Sequence, residues 1–353
     1  MSPFSSPEEV SRLSEPDPEF LEVLKTIPHP NVDLSDTNAF ITHVSNLQAE
    51  ARSCHPPPSP SIQETDVTYP NRSGQRLRAR VYRRPSPTPL GPLVLLFHGG
   101  GGCVGTPEDE APGARLLVTA FNAVCITPSY RLAPSDPYPS GLNDAWDSLV
   151  HFSQYAPLHL NADPTLGFLI TGTSAGACFC VTLSHLARDN DLTPPLTGVH
   201  LSCGVMLPPT HCPPEYLPYH QSHSRDSDPV LTSAVHSTFQ RIYGADLSSP
   251  IELSALHPLP TSPSSPPTPS LPPHFIQAAG LDLARDDSIV YEMILRDKWG
   301  VKTRLEVTAG VPHAWFAFFD GLEKSKDYWR GYLRGFGWLL GEENGDEEDK
   351  QSV

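Results

Sequence analysis

The segment Gly172-Thr173-Ser174-Ala175-Gly176 follows the apolar run Gly167-Phe168-Leu169-Ile170-Thr171 and opens a stretch of helical character, Ala175 to Asp189. A serine between close glycines, where a strand turns into a helix, marks a turn so tight that its neighbours must be small. The serine hydroxyl is then held clear of the backbone. A second glycine-rich turn, His98-Gly99-Gly100-Gly101, ends another apolar run, Leu93 to Phe97. One turn presents a hydroxyl and the other presents unobstructed backbone amides. Together they point to acyl-transfer chemistry.

The rest of the chain has a rhythm that suits such turns. Short apolar strands at Leu93–Phe97, Val124–Thr127, Gly167–Thr171, Val199–Cys203, His274–Ala279 and Arg304–Val307 take turns with helical stretches. Those stretches fall at Ala111–Phe121, Gly141–Tyr155, Ala175–Asp189 and Asp286–Lys298, the last ended by Gly300. This alternation predicts an α/β fold with a mostly parallel central sheet, helices on both faces, and function at the carboxyl ends of the strands. Ahead of it, Thr65–Tyr69 and Arg76–Tyr82 alternate at strand period around Asn71-Arg72-Ser73-Gly74, an antiparallel hairpin. Further upstream, Phe40, Val44, Leu47 and Ala51 recur at helical spacing behind a cap at Ser35 or Asp36, which gives a helix with one apolar face.

One stretch breaks the rhythm. No strand is predicted between Cys203 and His274, although Pro229–Tyr243 reads as a helix. The expected organisation is therefore residues 1–60 as lid helices and 61–340 as a catalytic domain carrying a lid insertion at about 204–273. Residues 341–353 are expected to form an acidic, disordered tail, since Glu342 to Asp349 carries six acids and no base. Within the insertion, Pro258 to Pro273 is almost all proline, serine, threonine and leucine, a composition for an extended, mobile loop.

The net charge of −16 argues against nucleic acid or an anionic membrane as partner, because both require basic surface. The start of the chain lacks the basic and apolar segments of a secretory signal, and no run reaches the length of a membrane span. A cytoplasmic protein is expected. The seven cysteines (Cys54, Cys103, Cys125, Cys178, Cys180, Cys203 and Cys212) are odd in number and lack metal-type spacing, so reduced structural thiols are expected.

A serine hydroxyl is a poor nucleophile until a histidine takes its proton and an acid orients that histidine. On this type of scaffold the chain order is serine, acid, histidine. Asp282 follows the strand His274–Ala279 and His313 follows the strand Arg304–Val307, so both reach a carboxyl end. Asp286 and Asp287 compete for the acid's role, but they stand at the start of the next helix, where capping and dipole complementation are the simpler expectation.

These residues bring a resemblance into view. His98-Gly99-Gly100-Gly101, Tyr130-Arg131-Leu132-Ala133-Pro134 through Pro137-Tyr138-Pro139, the Ser174 turn, Asp282 with Arg285-Asp286-Asp287, and His313 together resemble the hormone-sensitive-lipase family of α/β hydrolases over roughly residues 63–340. The resemblance implies a triad of Ser174, Asp282 and His313, an oxyanion hole of the Gly100, Gly101 and Ala175 amides, and a lid built from the two blocks above. It implies hydrolysis of carboxylic esters through an acyl-enzyme, with a small-molecule ester as partner and no cofactor or metal. Relatives that act as cyclases, lyases or acyl transferases on bulky specialised metabolites supply an alternative. A non-catalytic receptor is a third reading, disfavoured because His313 is present. His98 is expected to brace its loop. Departures from the family pattern lie at Gly102, where an aromatic is common, at Thr173, where an acid is common, and at Ala314-Trp315. These bear on pocket shape, which Trp315, Phe316, Phe318 and Phe319 either line or underpin as core.

Overall fold

The computed structural model describes residues 4, 6–27, 32–225, 228–249 and 271–342. Eight strands form one sheet: β1 (Gln63–Pro70), β2 (Arg76–Arg83), β3 (Leu93–Phe97), β4 (Val124–Pro128), β5 (Phe168–Thr173), β6 (Gly198–Ser202), β7 (His274–Ala279) and β8 (Thr303–Thr308). Their spatial order is β1-β2-β4-β3-β5-β6-β7-β8. The hairpin β1–β2 and the β2–β4 pair are antiparallel, and every later pair is parallel.

The helices are α1 (Pro7–Arg12), α2 (Pro18–Leu24), α3 (Thr37–Ser53), α4 (Ala111–Phe121), α5 (Ser140–His159), α6 (Ala175–Asp189), α7 (Ser233–Tyr243), α8 (Arg285–Met293), α9 (Trp315–Phe318) and α10 (Glu323–Leu339). Strand β3 shows how the layers arise. Its side chains alternate between faces: Leu93, Leu95 and Phe97 join a core with residues of α5 and α6, while Val94 and Leu96 join a second core with residues of α4 and α10. With both faces covered, all five residues of β3 are buried, which is why the strand reads as an unbroken apolar run. The α/β expectation holds, with small differences at element ends. Helix α5 runs on to His159 with Pro157 in its last turn, and the predicted helix over 286–298 is α8 followed by a π turn, Ile294–Lys298.

Two N-terminal pieces pack on the body at different places. The Asp36 carboxylate accepts the Asn38 and Ala39 amides (2.8 and 3.1 Å), so Asp36 and not Ser35 caps α3. Phe40 is buried edge-on against Phe239 of α7, with ring centroids 4.8 Å apart. Burial of such a side chain contributes about 1.5–3 kcal/mol. The apolar face of α3 is not wholly covered, however: Leu47 is 43% exposed. The segment between α1 and α2 meets the loop after β8. The Gly310 amide donates to the Leu13 carbonyl (2.9 Å) and the Asp17 amide donates back to the Gly310 carbonyl (3.0 Å). Gly310 has φ +74°, and a Cβ there would lie 2.5 Å from the Asp17 nitrogen, so only glycine fits this contact.

The proline-rich stretch, up to residue 270, and the acidic tail, from residue 343, lie outside the described residues. No disulfide links any of the seven cysteines, and no helix among the described residues is long and apolar enough to cross a membrane. Removing residues 1–55 uncovers Phe239 and unties Gly310, so the truncated protein is expected to melt lower and to scatter light on heating. Calorimetry with light scattering checks this, and an unchanged melting temperature would show that the N-terminal segment does not stabilise the body.

Candidate active site

Ser174 sits where β5 ends and α6 begins, with φ 54° and ψ −116°, a backbone conformation that non-glycine residues rarely adopt. Its neighbours have no room to be anything else. A Cβ on Gly172 would lie 2.3 Å from the Gly176 carbonyl carbon, and a Cβ on Gly176 would lie 1.9 Å from the Phe97 carbonyl oxygen. The turn is pinned further by the Ser174 amide donating to the Ser202 carbonyl of β6 (2.8 Å).

The three residues expected from sequence converge. Ser174 Oγ is 2.8 Å from His313 Nε2, and His313 Nδ1 is 2.6 Å from Asp282 Oδ2. A carboxylate can only accept, so Nδ1 carries the proton and Nε2 is left to accept from the serine hydroxyl. Burial disfavours the His313 imidazolium, but the Asp282 charge and hydrogen bond, with Asp228 behind them, outweigh it and hold its pKa above the ordinary 6.5.

Across from the serine, the loop after β3 coils through three consecutive positive-φ residues, Gly100, Gly101 and Gly102. Among the described residues, no protein acceptor takes the Gly100 or Gly101 amide. Ala175 is the first residue of α6, where amides have no intrahelical partner. The loop is braced from below. His98 is buried and stacks on Tyr130 (4.2 Å), whose hydroxyl donates to the His98 carbonyl (2.8 Å). The strap that begins at Tyr130 is locked in turn by Arg131 on the buried Asp144 (2.7 and 2.9 Å). Above, Phe239 and Tyr243 of α7 lie against the glycines: a Cβ on Gly101 or Gly102 would meet their rings at 2.3 and 2.6 Å. The aromatic absent at Gly102 is therefore replaced in space by one from α7.

Asp286 and Asp287 depart from expectation. They stand in the first turn of α8, but neither carboxylate caps it; both reach into the segment between β6 and β7. Asp286 Oδ2 accepts the Gln221 and Ser222 amides, each at 2.7 Å. Asp287 Oδ2 accepts the Met206 and Leu207 amides at 2.9 Å, while its Oδ1 meets Nε2 of His220 (2.9 Å) and of His223 (2.7 Å). Burial opposes the charge on Asp287, yet its histidines prevail and hold the pKa down at about 2.

Sequence reasoning also passed over Asp228. This carboxylate is buried, accepts the His313 amide (2.6 Å), and is pushed up to about 6 by burial and by the nearby Asp282 charge. An acid directly before a proline and a helix reads as an ordinary cap, so nothing in the pattern separated it. Beside Thr173, burial pushes the Glu110 carboxyl up to about 8. The aromatics divide: Trp315 is fully buried core, while Phe316, Phe318 and Phe319 edge the space in front of Ser174. That space is a cavity of about 1540 Å³, bounded by α3, the glycine loop, Ser174, His313 and α7.

Known proteins share this fold over most of the chain's length. A family model described as alpha/beta hydrolase fold matches residues 94–317. An AB hydrolase superfamily protein of Schizosaccharomyces pombe is 30% identical over 338 residues, 93% of this chain and 95% of its own length. Carboxylesterase NlhH of Mycobacterium tuberculosis is 30% identical over 264 residues, covering 74% of this chain and 77% of that protein. Among solved structures, vibralactone cyclase superposes with a TM-score of 0.80 at 28% identity, over 94% of this chain and 96% of that one. Fold and relatives together define an α/β hydrolase of the carboxylesterase type. Within that class, the chain belongs to the hormone-sensitive-lipase family.

The Asp287 tether makes a pH-dependent contribution to stability. Burial lowers the pKa of His223, but the Asp287 charge overrides it and holds it above the ordinary 6.5. A raised histidine stabilises fully below 6.5 and loses its effect as pH rises through the folded value; the lowered aspartate stabilises above its ordinary 3.8 and fades only as pH falls toward about 2. Melts of wild type and Asp287→Asn from about pH 5 to about pH 9 should show the wild-type advantage largest at the acid end and shrinking as His223 deprotonates. An advantage that stays constant across that range would mean that Asp287 does not hold the charge on His223.

Proposed function

We propose that the chain hydrolyses carboxylic esters with Ser174 as nucleophile, His313 as general base and acid, Asp282 as the group that orients His313, and the Gly100, Gly101 and Ala175 amides as oxyanion hole. The observation that carries this reading is the unbroken chain of contacts from Ser174 Oγ through His313 to Asp282 at 2.8 and 2.6 Å. In the first half-reaction Ser174 Oγ bonds to the ester carbonyl carbon and its proton passes to His313 Nε2. The carbonyl oxygen becomes an anion facing the three amides, each such donor being worth about 2.7–4 kcal/mol to the transition state. The tetrahedral adduct collapses, the C–O bond to the alcohol breaks, and His313 returns the proton to the leaving oxygen. Water then repeats the sequence on the acyl-enzyme and releases the acid.

Residues 1–60 and the insertion from about 204 to 273 serve as the lid in this reading, since α3 and α7 wall the cavity over Ser174. Excluding water there strengthens each electrostatic contact with the developing charge. The cavity of about 1540 Å³ exceeds the roughly 300–1,000 Å³ of ordinary ligand pockets, so a bulky ester is the better fit. A pure binding role has no use for a serine–histidine–acid relay at hydrogen-bonding distances.

A second reading keeps the acyl-enzyme but lets a hydroxyl of the same substrate, not water, take the acyl group, closing a lactone. The observation favouring it is the similarity to a protein named as a cyclase. Turnover in isotopically labelled water separates the two: hydrolysis leaves the label in the acid product, and cyclisation does not.

Ser174→Ala and His313→Ala are each expected to lower kcat for p-nitrophenyl esters by about 10⁴-fold or more while the protein stays folded. Asp282→Asn should follow at about 10⁴-fold through the wrong imidazole tautomer. If Asp286→Asn or Asp287→Asn proves the severer change in kcat, the acid has been misassigned. The acid limb of kcat/KM should titrate above 6.5, because His313 must be neutral to accept the serine proton and its pKa is raised.

A further inference from the structure

Asp228 belongs to the segment between β6 and β7, far in sequence from the triad, yet it is 1% exposed and lies against the loop that carries His313. Its Oδ2 accepts the His313 main-chain amide at 2.6 Å, and its Oδ1 accepts the Val230 and Leu231 amides at 2.7 and 3.0 Å. The Leu231 side chain then packs with Leu283 and Ala284, the residues that directly follow Asp282. One carboxylate thus fastens the histidine's backbone to the start of the lid helix, and the adjacent leucine fastens the acid's loop to the same point.

We propose that Asp228 is a positioning residue for the triad: it fixes the main chain of His313 and places a second negative charge behind the imidazole, so that docking of the insertion completes the active site. The proposal rests on the catalytic reading of Ser174, His313 and Asp282. Its physical content is twofold. A hydrogen bond to the backbone of the base sets where Nε2 points, and misplacement by about 1 Å can cost on the order of 10²-fold in rate. A carboxylate close to the ring favours the imidazolium that forms in each proton transfer.

The ionisable groups around this point come from every element that packs there. Asp282 precedes α8, His313 follows β8, and the Cys203 thiol follows β6, with its sulfur within 4.8 Å of the Asp282 and His313 ligand atoms. His223 lies in the segment between β6 and β7, His236 lies on α7, and Asp287 lies on α8. Of these, Asp282 and Asp228 are the two that raise His313, after burial has lowered it. Burial and Asp282 lift Asp228 to about 6, while the His313 charge and the backbone amides it accepts favour its ionised form. The sign follows: removing the Asp228 charge destabilises the imidazolium and moves the acid limb of kcat/KM to lower pH.

The test compares Asp228→Asn and Asp228→Ser with wild type, using p-nitrophenyl ester kinetics as a function of pH. The expected result is a kcat lowered by about 10- to 100-fold with KM within about twofold, together with an acid limb shifted to lower pH. Loss of kcat with an unmoved acid limb would reduce Asp228 to a structural role and overturn the proposal, as would activity close to wild type in both variants. Should neither variant fold, Asp228→Glu, which keeps the charge and displaces the carboxylate by one methylene, decides the matter. Its kcat is expected to fall while the acid limb stays close to that of wild type, and either a wild-type kcat or an acid limb at markedly lower pH overturns the proposal. Ser174→Ala in parallel keeps the two readings apart: turnover surviving in that variant sinks the triad, whatever Asp228 does.

Discussion

The geometry of the site descends from one tight turn. Ser174 can hold a positive φ only because Gly172 and Gly176 let β5, β3 and the first turn of α6 come within contact of one another. A residue held in such a conformation costs on the order of 1–3 kcal/mol, which the surrounding sheet must offset. The return is that the hydroxyl points out of the sheet, toward His313 and the glycine loop, with the α6 amides opening beside it. Strands β3 and β5 are direct neighbours, so the two glycine-rich turns face each other at the same end of the sheet.

A second level of organisation comes from buried acids. Asp228, Asp286 and Asp287 are each at most 1% exposed, and each accepts backbone amides of the segment between β6 and β7. Asp228 also takes the amide of His313. Buried carboxylates are costly unless fully bonded, so these contacts define one arrangement of the insertion over the sheet and disfavour others. The chain before β1 adds a further brace, through Leu13 and Asp17 on Gly310 and through Phe40 on Phe239. Segments far apart in sequence thereby fix the loops on which Asp282 and His313 stand.

How much of this could be read from the residues alone follows from the range of each interaction. Local rules served well where structure is local: the strand at Leu93–Phe97, the turn at Ser174 and the helix after it announce themselves through period and glycine spacing. The positions of Asp282 and His313 at strand ends were legible for the same reason, since β7 and β8 precede them directly. Long-range pairing was not legible. Asp287 looks like any acid in a first helical turn until His220 and His223 are brought to it, and Asp228 looks like a cap until the His313 amide arrives. The half-open face of α3 was invisible for a related reason: periodicity says which side chains share a face, and it does not say whether a neighbour or a cavity covers Leu47.

Covalent acylation of Ser174, on which the proposed ester hydrolysis depends, can be tested without knowing the natural substrate. The protein is mixed with a p-nitrophenyl ester, quenched in acid within the first turnover, digested and mapped by mass spectrometry. An acyl group is expected on the peptide bearing Ser174 in the wild type, none in Ser174→Ala, and strongly slowed labelling in His313→Ala. Acylation at another cavity nucleophile such as Cys178, or equal labelling of Ser174→Ala, would contradict it.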